Sequence, residues 1–366
     1  MNKPRMTLLI FCAIAVGIIG CMSDYVVRPG YDLPPSARIY TPTDGESYME
    51  GDTIYFSGRG TDREDGILPE DSLVWASDID GRIGTGTSFH RTDLSPNAHS
   101  ITLMATDCDG QRDTSMVVIR VEERKPVKIL FLGNSYLQYN DCAGVFRSLC
   151  ESGGKEVIVD HYYIMGRDLD AHIESAESEA KICSDQWDYV IVQGSSLTMA
   201  FPGTHHEIYP PYPFINLHQI FKTLKTRIKE NNSESVMVYV MPWGYEDGLT
   251  WIEGRDEDYF DMQKLICDNT ISYGNLIPFT IAPVGWAWNS VMKVRPQLHY
   301  LFMSDLSHPE PRGTYLMACT IYSTIFRERS SGFTYIDGIT AAEAKHFQNV
   351  GSGIVLNDLE LWNIEP

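Results

Sequence analysis

The sequence predicts an α/β protein: a three-layer α/β/α sandwich around a mainly parallel sheet, preceded by an N-terminal all-β sandwich. Three observations predict it. Between residues 37 and 121, short runs of alternating polar and apolar residues are broken by Asp-Gly pairs, the pattern of half-buried strands joined by tight turns. From Val127 onward the apolar runs become continuous, as in Val127-Lys128-Ile129-Leu130-Phe131-Leu132, and alternate with helix-length segments, as strands buried on both faces of a parallel sheet require. Between the two patterns stands Glu122-Glu123-Arg124-Lys125-Pro126, a charged linker closed by a proline.

Taken in order, the chain opens with Lys3 and Arg5 ahead of an uncharged run that ends Ile18-Ile19-Gly20-Cys21. The run is short for a membrane span, so residues 1–20 read as a signal peptide. A small residue directly before a cysteine resembles the site cut by the lipoprotein signal peptidase, which implies Cys21 as a lipidated N-terminus and an exported protein anchored to the membrane, facing the periplasm or the cell surface. A plain membrane anchor and an unlipidated secretory signal are the alternatives. Residues 21–36, with Pro29, Gly30, Pro34 and Pro35, have no hydrophobic period and suit a tether.

In the β region, residues 37–122, strands are expected at 37–40, 53–56, 72–75, 100–104 and 115–121. The turns are Asp44-Gly45, Asp65-Gly66, Asp80-Gly81 and Asp109-Gly110, with Trp75 as the core tryptophan. This stretch resembles immunoglobulin-like and PKD-like modules. In the α/β region, residues 127–340, strands are expected at 127–132, 157–159, 189–192, 236–240 and 279–284. Helices are expected at about 142–152, 169–183, 213–230, 256–273 and 310–327, and residues 341–366 read as a C-terminal extension.

Twenty-nine basic against forty-nine acidic residues give a net charge of −20. Such a chain repels phosphate backbones, which excludes nucleic acid as a partner and favours a neutral or cationic one. Outside the leader and Cys21 the cysteines are Cys108, Cys142, Cys150, Cys183, Cys267 and Cys319, with no CxxC pair. They do not read as a zinc or redox centre; disulfides and buried free thiols both remain open. Asp62, Glu64, Asp65, Asp107 and Asp109 lack a complete calcium-loop spacing, and His161, His205 and His206 have no metal-ligand pattern, so turn carboxylates and loop histidines are expected, with no metal and no cofactor.

Ligands of open parallel sheets gather beyond the carboxyl ends of the strands. The first strand ends Gly133-Asn134-Ser135, which sets a serine hydroxyl at a strand tip before a helix. Gly166 follows the second strand, and Gln193 ends the third, where a backbone N–H and a side-chain amide can face an oxyanion. Near the end, Asp305-Leu306-Ser307-His308 places a carboxylate three residues before a histidine, so that one ring nitrogen is held and the other left to take a proton.

Together these blocks, in this order, resemble the SGNH (GDSL-like) hydrolases over roughly residues 127–330. The resemblance implies a serine hydrolase acting on ester bonds, with Ser135 as nucleophile, His308 as general base, Asp305 orienting it, and an oxyanion hole of Ser135 N–H, Gly166 N–H and Gln193. Two departures stand out: Asn134 replaces the family's aspartate before the serine, and Gln193-Gly194-Ser195-Ser196 replaces its Gly-x-Asn-Asp block. Phe201, Tyr209, Tyr212, Trp243, Tyr245, Trp251, Trp286 and Trp288 crowd the later strand ends and suit a platform for sugar rings. The expected substrate is therefore a carbohydrate or small-molecule ester, an O-acetylated glycan first. A non-catalytic glycan-binding or adhesion lipoprotein and a lipase or thioesterase are the other readings open at this point.

Overall fold

The computed structural model describes residues 33–210, 213–297 and 299–365. The leader, Cys21, most of the tether and Tyr212 lie outside these residues. Two compact units divide between Arg124 and Lys125.

In the first unit, β1 (Ser36–Thr41), β3 (Ile54–Asp62), β4 (Gly66–Ile67) and β7 (Ser88–Arg91) form one sheet; β2 (Ser47–Met49), β9 (Arg112–Glu122), β8 (Asn97–Thr106), β5 (Leu73–Ser77) and β6 (Gly81–Thr85) form the other. Alternate residues of each strand point inward, as in β8, where His99, Ile101, Leu103 and Ala105 are buried. Trp75 fills the space between the sheets: Phe56 and Phe89 meet its ring edge-on, and its indole N–H donates to Gly86 O at 2.9 Å. Gly58 makes room for it, since a Cβ there would stand 2.8 Å from Trp75 Cζ2 and 2.6 Å from Leu103 Cδ2. All four Asp-Gly turns carry their glycine at positive φ, between 71° and 87°. The short strands β2, β4, β6 and β7 escape the sequence pattern because few of their residues are buried.

The second unit runs β10 (Val127–Gly133), α1 (Ser135–Gln138), α2 (Cys142–Ser152), β11 (Val157–Tyr163), α3 (Leu169–Glu174), α4 (Ala176–Ile182), β12 (Tyr189–Gln193), α5 (Ser196–Ala200), α6 (His205–Ile208), α7 (Leu217–Asn231), β13 (Val236–Val240), α8 (Tyr259–Leu276), β14 (Thr280–Ala282), α9 (Val284–Val294), α10 (Pro311–Phe326) and α11 (Ala341–Leu356). Its five strands are all parallel, in the order β11-β10-β12-β13-β14. Successive residues of each strand face opposite layers. Ile129 and Phe131 of β10 pack with α2, α9, α10 and α11, whereas Leu130 and Leu132 pack with α3, α5, α7 and α8. That two-sided burial is why the strands read as unbroken apolar runs.

Three expectations are corrected here. Residues 169–183 form two helices, because Ser175 is extended and its hydroxyl accepts the Ser178 N–H to start α4. The strand at 279–284 stops at Ala282; Pro283 then precedes α9, whose apolar sequence cannot be told from a buried strand by period. Residues 341–366 are not an appendage. A capping box of Thr340 and Glu343 starts α11, and Phe347 and Val355, with Trp362 and Ile364 beyond it, are buried in the two cores.

Cys142, Cys150, Cys267 and Cys319 are buried free thiols, and burial pushes Cys267 and Cys319 up to about 12. Among the described residues no three His, Cys, Asp or Glu side chains converge as metal ligands. His205 departs from its expected place on the surface: it is buried, with its ring nitrogens toward Phe201 O at 3.3 Å and Pro213 O at 2.9 Å.

Phe347→Ala tests whether α11 belongs to the core. Emptying a fully buried ring site should cost about 3 to 5 kcal/mol, read in the denaturation midpoint of this unit; a loss under about 1 kcal/mol would return residues 341–366 to the status of an extension.

Candidate active site

β10 lies between β11 and β12, so the β10–β11 and β11–β12 crossovers run in opposite directions and open a crevice at its carboxyl end. Gly133 closes the strand in a space that admits no side chain, for a Cβ would lie 2.7 Å from Leu137 Cδ1 and 2.9 Å from Gln193 Oε1. Asn134 is extended and caps α1: its Oδ1 accepts the Tyr136 N–H at 3.0 Å, while its Nδ2 donates to Arg167 O at 3.0 Å. Ser135 is therefore the first helical residue, half-buried, and its N–H has no acceptor within the helix.

His308 reaches Ser135 from a loop. Its Nε2 lies 2.8 Å from Ser135 Oγ, and its Nδ1 lies 2.6 Å from Asp305 Oδ2. With the carboxylate accepting at Nδ1, that nitrogen carries the proton and Nε2 is left to accept from the serine hydroxyl. Asp305 Oδ1 also accepts the N–H groups of Ser307 at 3.0 Å and His308 at 2.9 Å. Partial burial raises the Asp305 pKa, but these N–H groups and the imidazole outweigh it and hold the carboxyl below its ordinary value. Ser135, His308 and Asp305 thus converge into one hydrogen-bonded line.

The turn that presents His308 is held from three sides. Trp243, just past β13, donates its indole N–H to Ser307 O at 2.9 Å, and the Tyr136 hydroxyl meets Ser307 Oγ at 2.7 Å. Tyr136 stacks on Trp243, which stacks in turn on Trp288 at 4.1 Å between ring centroids. On another side, the Glu246 N–H donates to Leu306 O at 2.8 Å, and its carboxylate takes His299 N–H at 2.6 Å and meets His299 Nδ1 at 3.1 Å. On the third, Asn140 Nδ2 donates to Pro309 O at 2.7 Å.

The other expected residues fare differently. Gly166, at φ 66°, is exposed on a turn bound to the strand end that carries Ser135, through Ile164 N–H to Gly133 O at 2.9 Å and the Asn134 amide to Arg167 O. Gln193 is corrected from oxyanion donor to brace. It is fully buried, its Oε1 accepts the Asn134 N–H at 3.3 Å, and its amide nitrogen donates to Gly194 O. The longer side chain has folded back on the strand ends, where the backbone uses both ends of the amide. Trp243 and Trp288 are likewise corrected: both are fully buried and cannot stack on a ligand. Trp251 is exposed, flanked by Tyr209 at 5.3 Å and Tyr245 at 6.4 Å.

Two supporting groups escaped sequence reasoning. Asp168 is buried, and its Oδ1 accepts Leu169 N–H at 2.7 Å and Ser195 N–H at 3.0 Å, which joins the turns after β11 and β12. Burial pushes its carboxyl up. His172, also buried, donates from Nε2 to Gly133 O at 2.9 Å and accepts the Ser178 hydroxyl at Nδ1; burial lowers its pKa, so the ring is neutral. Asp168, standing before the apolar start of α3, carries the sequence signal of an N-cap; His172 carries none.

Comparisons with known proteins bear on the fold. No family model matches the sequence, and no curated protein matches it. Among solved structures, the chain is similar to a DUF4886 family protein from Bacteroides uniformis at TM-score 0.52 and 20% identity, over 63% of this chain and 95% of that one. A candidate SGNH hydrolase from Slackia heliotrinireducens follows at TM-score 0.43 and 21% identity, over 55% of this chain and all of that one (100%). A member of the lipolytic G-D-S-L family from Veillonella parvula matches at TM-score 0.39 and 15% identity, over 55% and 100% of the two chains. The first of these likenesses shows a shared α/β fold.

Two measurements check the geometry. Because the Asp305 pKa is lowered on folding, its stabilising contribution is present above the ordinary aspartate value of 3.8 and is lost as pH falls below it. The stability gap between the wild type and Asp305→Asn should therefore narrow as pH is lowered from 5 toward 3, and a constant gap would contradict the assignment. Trp243→Phe keeps a ring in the stack but leaves Ser307 O without its donor, an expected loss of about 1 to 3 kcal/mol in urea denaturation; no loss would show that bond to be idle.

Proposed function

We propose that this chain is an SGNH-type serine esterase that hydrolyses a carboxylic ester through an acyl-enzyme, and that it removes O-acetyl groups from a glycan outside the cytoplasm as a lipid-anchored protein. The observation that carries this reading is the line from Asp305 Oδ2 through His308 to Ser135 Oγ, at 2.6 and 2.8 Å, at the tip of the strand where the sheet order reverses. A hydroxyl so placed is a weak nucleophile made strong by its base.

In the first half-reaction, Ser135 Oγ attacks the ester carbonyl carbon and passes its proton to His308 Nε2. The carbonyl oxygen, now negative, turns to the N–H groups of Ser135 and Gly166. Each such donor is worth about 10²- to 10³-fold in rate, and with Gln193 turned inward the hole rests on the backbone. The tetrahedral adduct collapses, the bond to the alcohol oxygen breaks, and Nε2 returns its proton to that oxygen. A water then attacks the acyl-serine carbonyl, giving its proton to Nε2; collapse returns that proton to Ser135 Oγ and releases the carboxylic acid. Asp305 stays ionised throughout and steadies the imidazolium.

The glycan part of the proposal draws on two features. Exposed Trp251 with half-buried Tyr209 and Tyr245 forms an aromatic group, and a net charge of −20 disfavours anionic substrates in comparison with neutral sugar esters. The leader ending at Cys21 supports the location.

Ser135→Ala should lower turnover of p-nitrophenyl acetate by at least about 10³-fold with little change in melting temperature, and a fluorophosphonate should label Ser135 in the wild type. Undiminished turnover by the variant would end the esterase assignment.

A further inference from the structure

We propose that Tyr139 is the subsite for the alcohol half of the ester, and that this half is a sugar ring. The inference rests on the esterase reading and deepens it. In the first half-reaction His308 Nε2 returns a proton to the leaving oxygen, so that oxygen must come within about 2.6 to 3.2 Å of Nε2. The carbonyl oxygen turns to the backbone N–H groups and the acyl carbon takes a third direction. Only the alcohol, then, must extend over what flanks the imidazole.

Two tyrosines flank it among the described residues. Tyr136 meets the ring edge-on with centroids 5.3 Å apart, but it is 7% exposed, under the stack with Trp243. Tyr139 lies 4.6 Å from the same imidazole at an interplanar angle of 63° and is 38% exposed. It is thus the one aromatic ring in contact with His308 that a bound ligand can reach.

Tyr139 is also held in place. Its N–H donates to Ser135 O at 3.0 Å, which ties it to the nucleophile's own turn. The next two residues, Asn140 at φ 58° and Asp141 at φ 49°, are both left-handed without being glycine, a conformation that persists only where the surroundings enforce it. The enforcing bonds are present: Asn140 Nδ2 donates to Pro309 O at 2.7 Å and to Thr314 Oγ1 at 3.1 Å, and Asp141 caps α2 through the Gly144 N–H at 3.2 Å. The chain is therefore kinked, at some conformational expense, where the kink sets this ring beside the general base.

A ring fixed before binding loses little freedom when it is covered. Its phenol face suits a flat, rigid partner whose C–H groups lie on one side, which describes a sugar ring better than a flexible alkyl alcohol. The acidic chain adds that the sugar is neutral at this position.

Glucose pentaacetate and triacetin test this, since both present acetyl esters and only the alcohol differs. Tyr139→Ala should raise KM for glucose pentaacetate about tenfold, roughly 1.4 kcal/mol, with a much smaller rise for triacetin. Tyr139→Phe and Tyr139→Trp should retain most of the discrimination. Equal losses on the two esters, or none on the sugar ester, would overturn the subsite. In parallel, glucose pentaacetate is titrated calorimetrically into Ser135→Ala and into Ser135→Ala/Tyr139→Ala. A roughly tenfold weaker affinity of the double variant supports the proposal, whereas equal affinities, or no binding by the single variant, overturn it. Failure of the esterase reading looks different: Ser135→Ala would then turn over both esters as the wild type does.

Discussion

The contact on which the rest of the site depends is the 2.8 Å hydrogen bond between Ser135 Oγ and His308 Nε2, which joins residues 173 positions apart. Its two ends arrive by unlike routes. The serine is set by regular structure, as the first residue of the helix that follows β10, where the reversal of strand order leaves a crevice. The histidine is set by an irregular loop outside the sheet, closed on itself by the Met303 N–H to His308 O and Glu310 N–H to Leu301 O bonds at 2.8 and 2.9 Å.

Most of the surrounding architecture compensates for that difference. Trp243 grips Ser307 O, Tyr136 grips Ser307 Oγ, Asn140 grips Pro309 O, and Glu246 grips both Leu306 O and His299. The clamps come from two segments, one following β10 and one following β13, so the loop is fixed only when both strand ends are in place. The indole stack of Trp243 on Trp288 runs this support down into the apolar core between the sheet and α10. The geometry of the candidate site and the stability of the fold are therefore coupled through buried aromatics.

On the opposite wall the support is polar. Asn134, Asp168, His172 and Gln193 are buried side chains, and each hydrogen-bonds to backbone of the turns after β10, β11 and β12. Buried polar groups of this kind are costly unless partnered. Here they are partnered by backbone N–H and C=O groups that the strand ends would otherwise leave unmet. Gln193 illustrates the trade: a residue type able to donate to an oxyanion instead secures the turn that carries Ser135.

The strands of the parallel sheet, the longer strands of the β region and the Asp-Gly turns could be read from the sequence, because period, continuous apolar runs and glycine's tolerance of positive φ are local properties of a chain. Ser135, Asp305 and His308 could be singled out as candidates for a related reason: hydroxyl, carboxylate and imidazole chemistry is carried by residue type, and it is the structure that brings the three within hydrogen-bonding reach. The inward turn of Gln193, the burial of Trp243 and His205, the bracing by Asp168 and His172, and the integration of α11 were decided by tertiary structure alone. They depend on which groups lie across a gap between segments distant in sequence. A side chain's direction is chosen by the partners that satisfy it, and no local pattern records those partners.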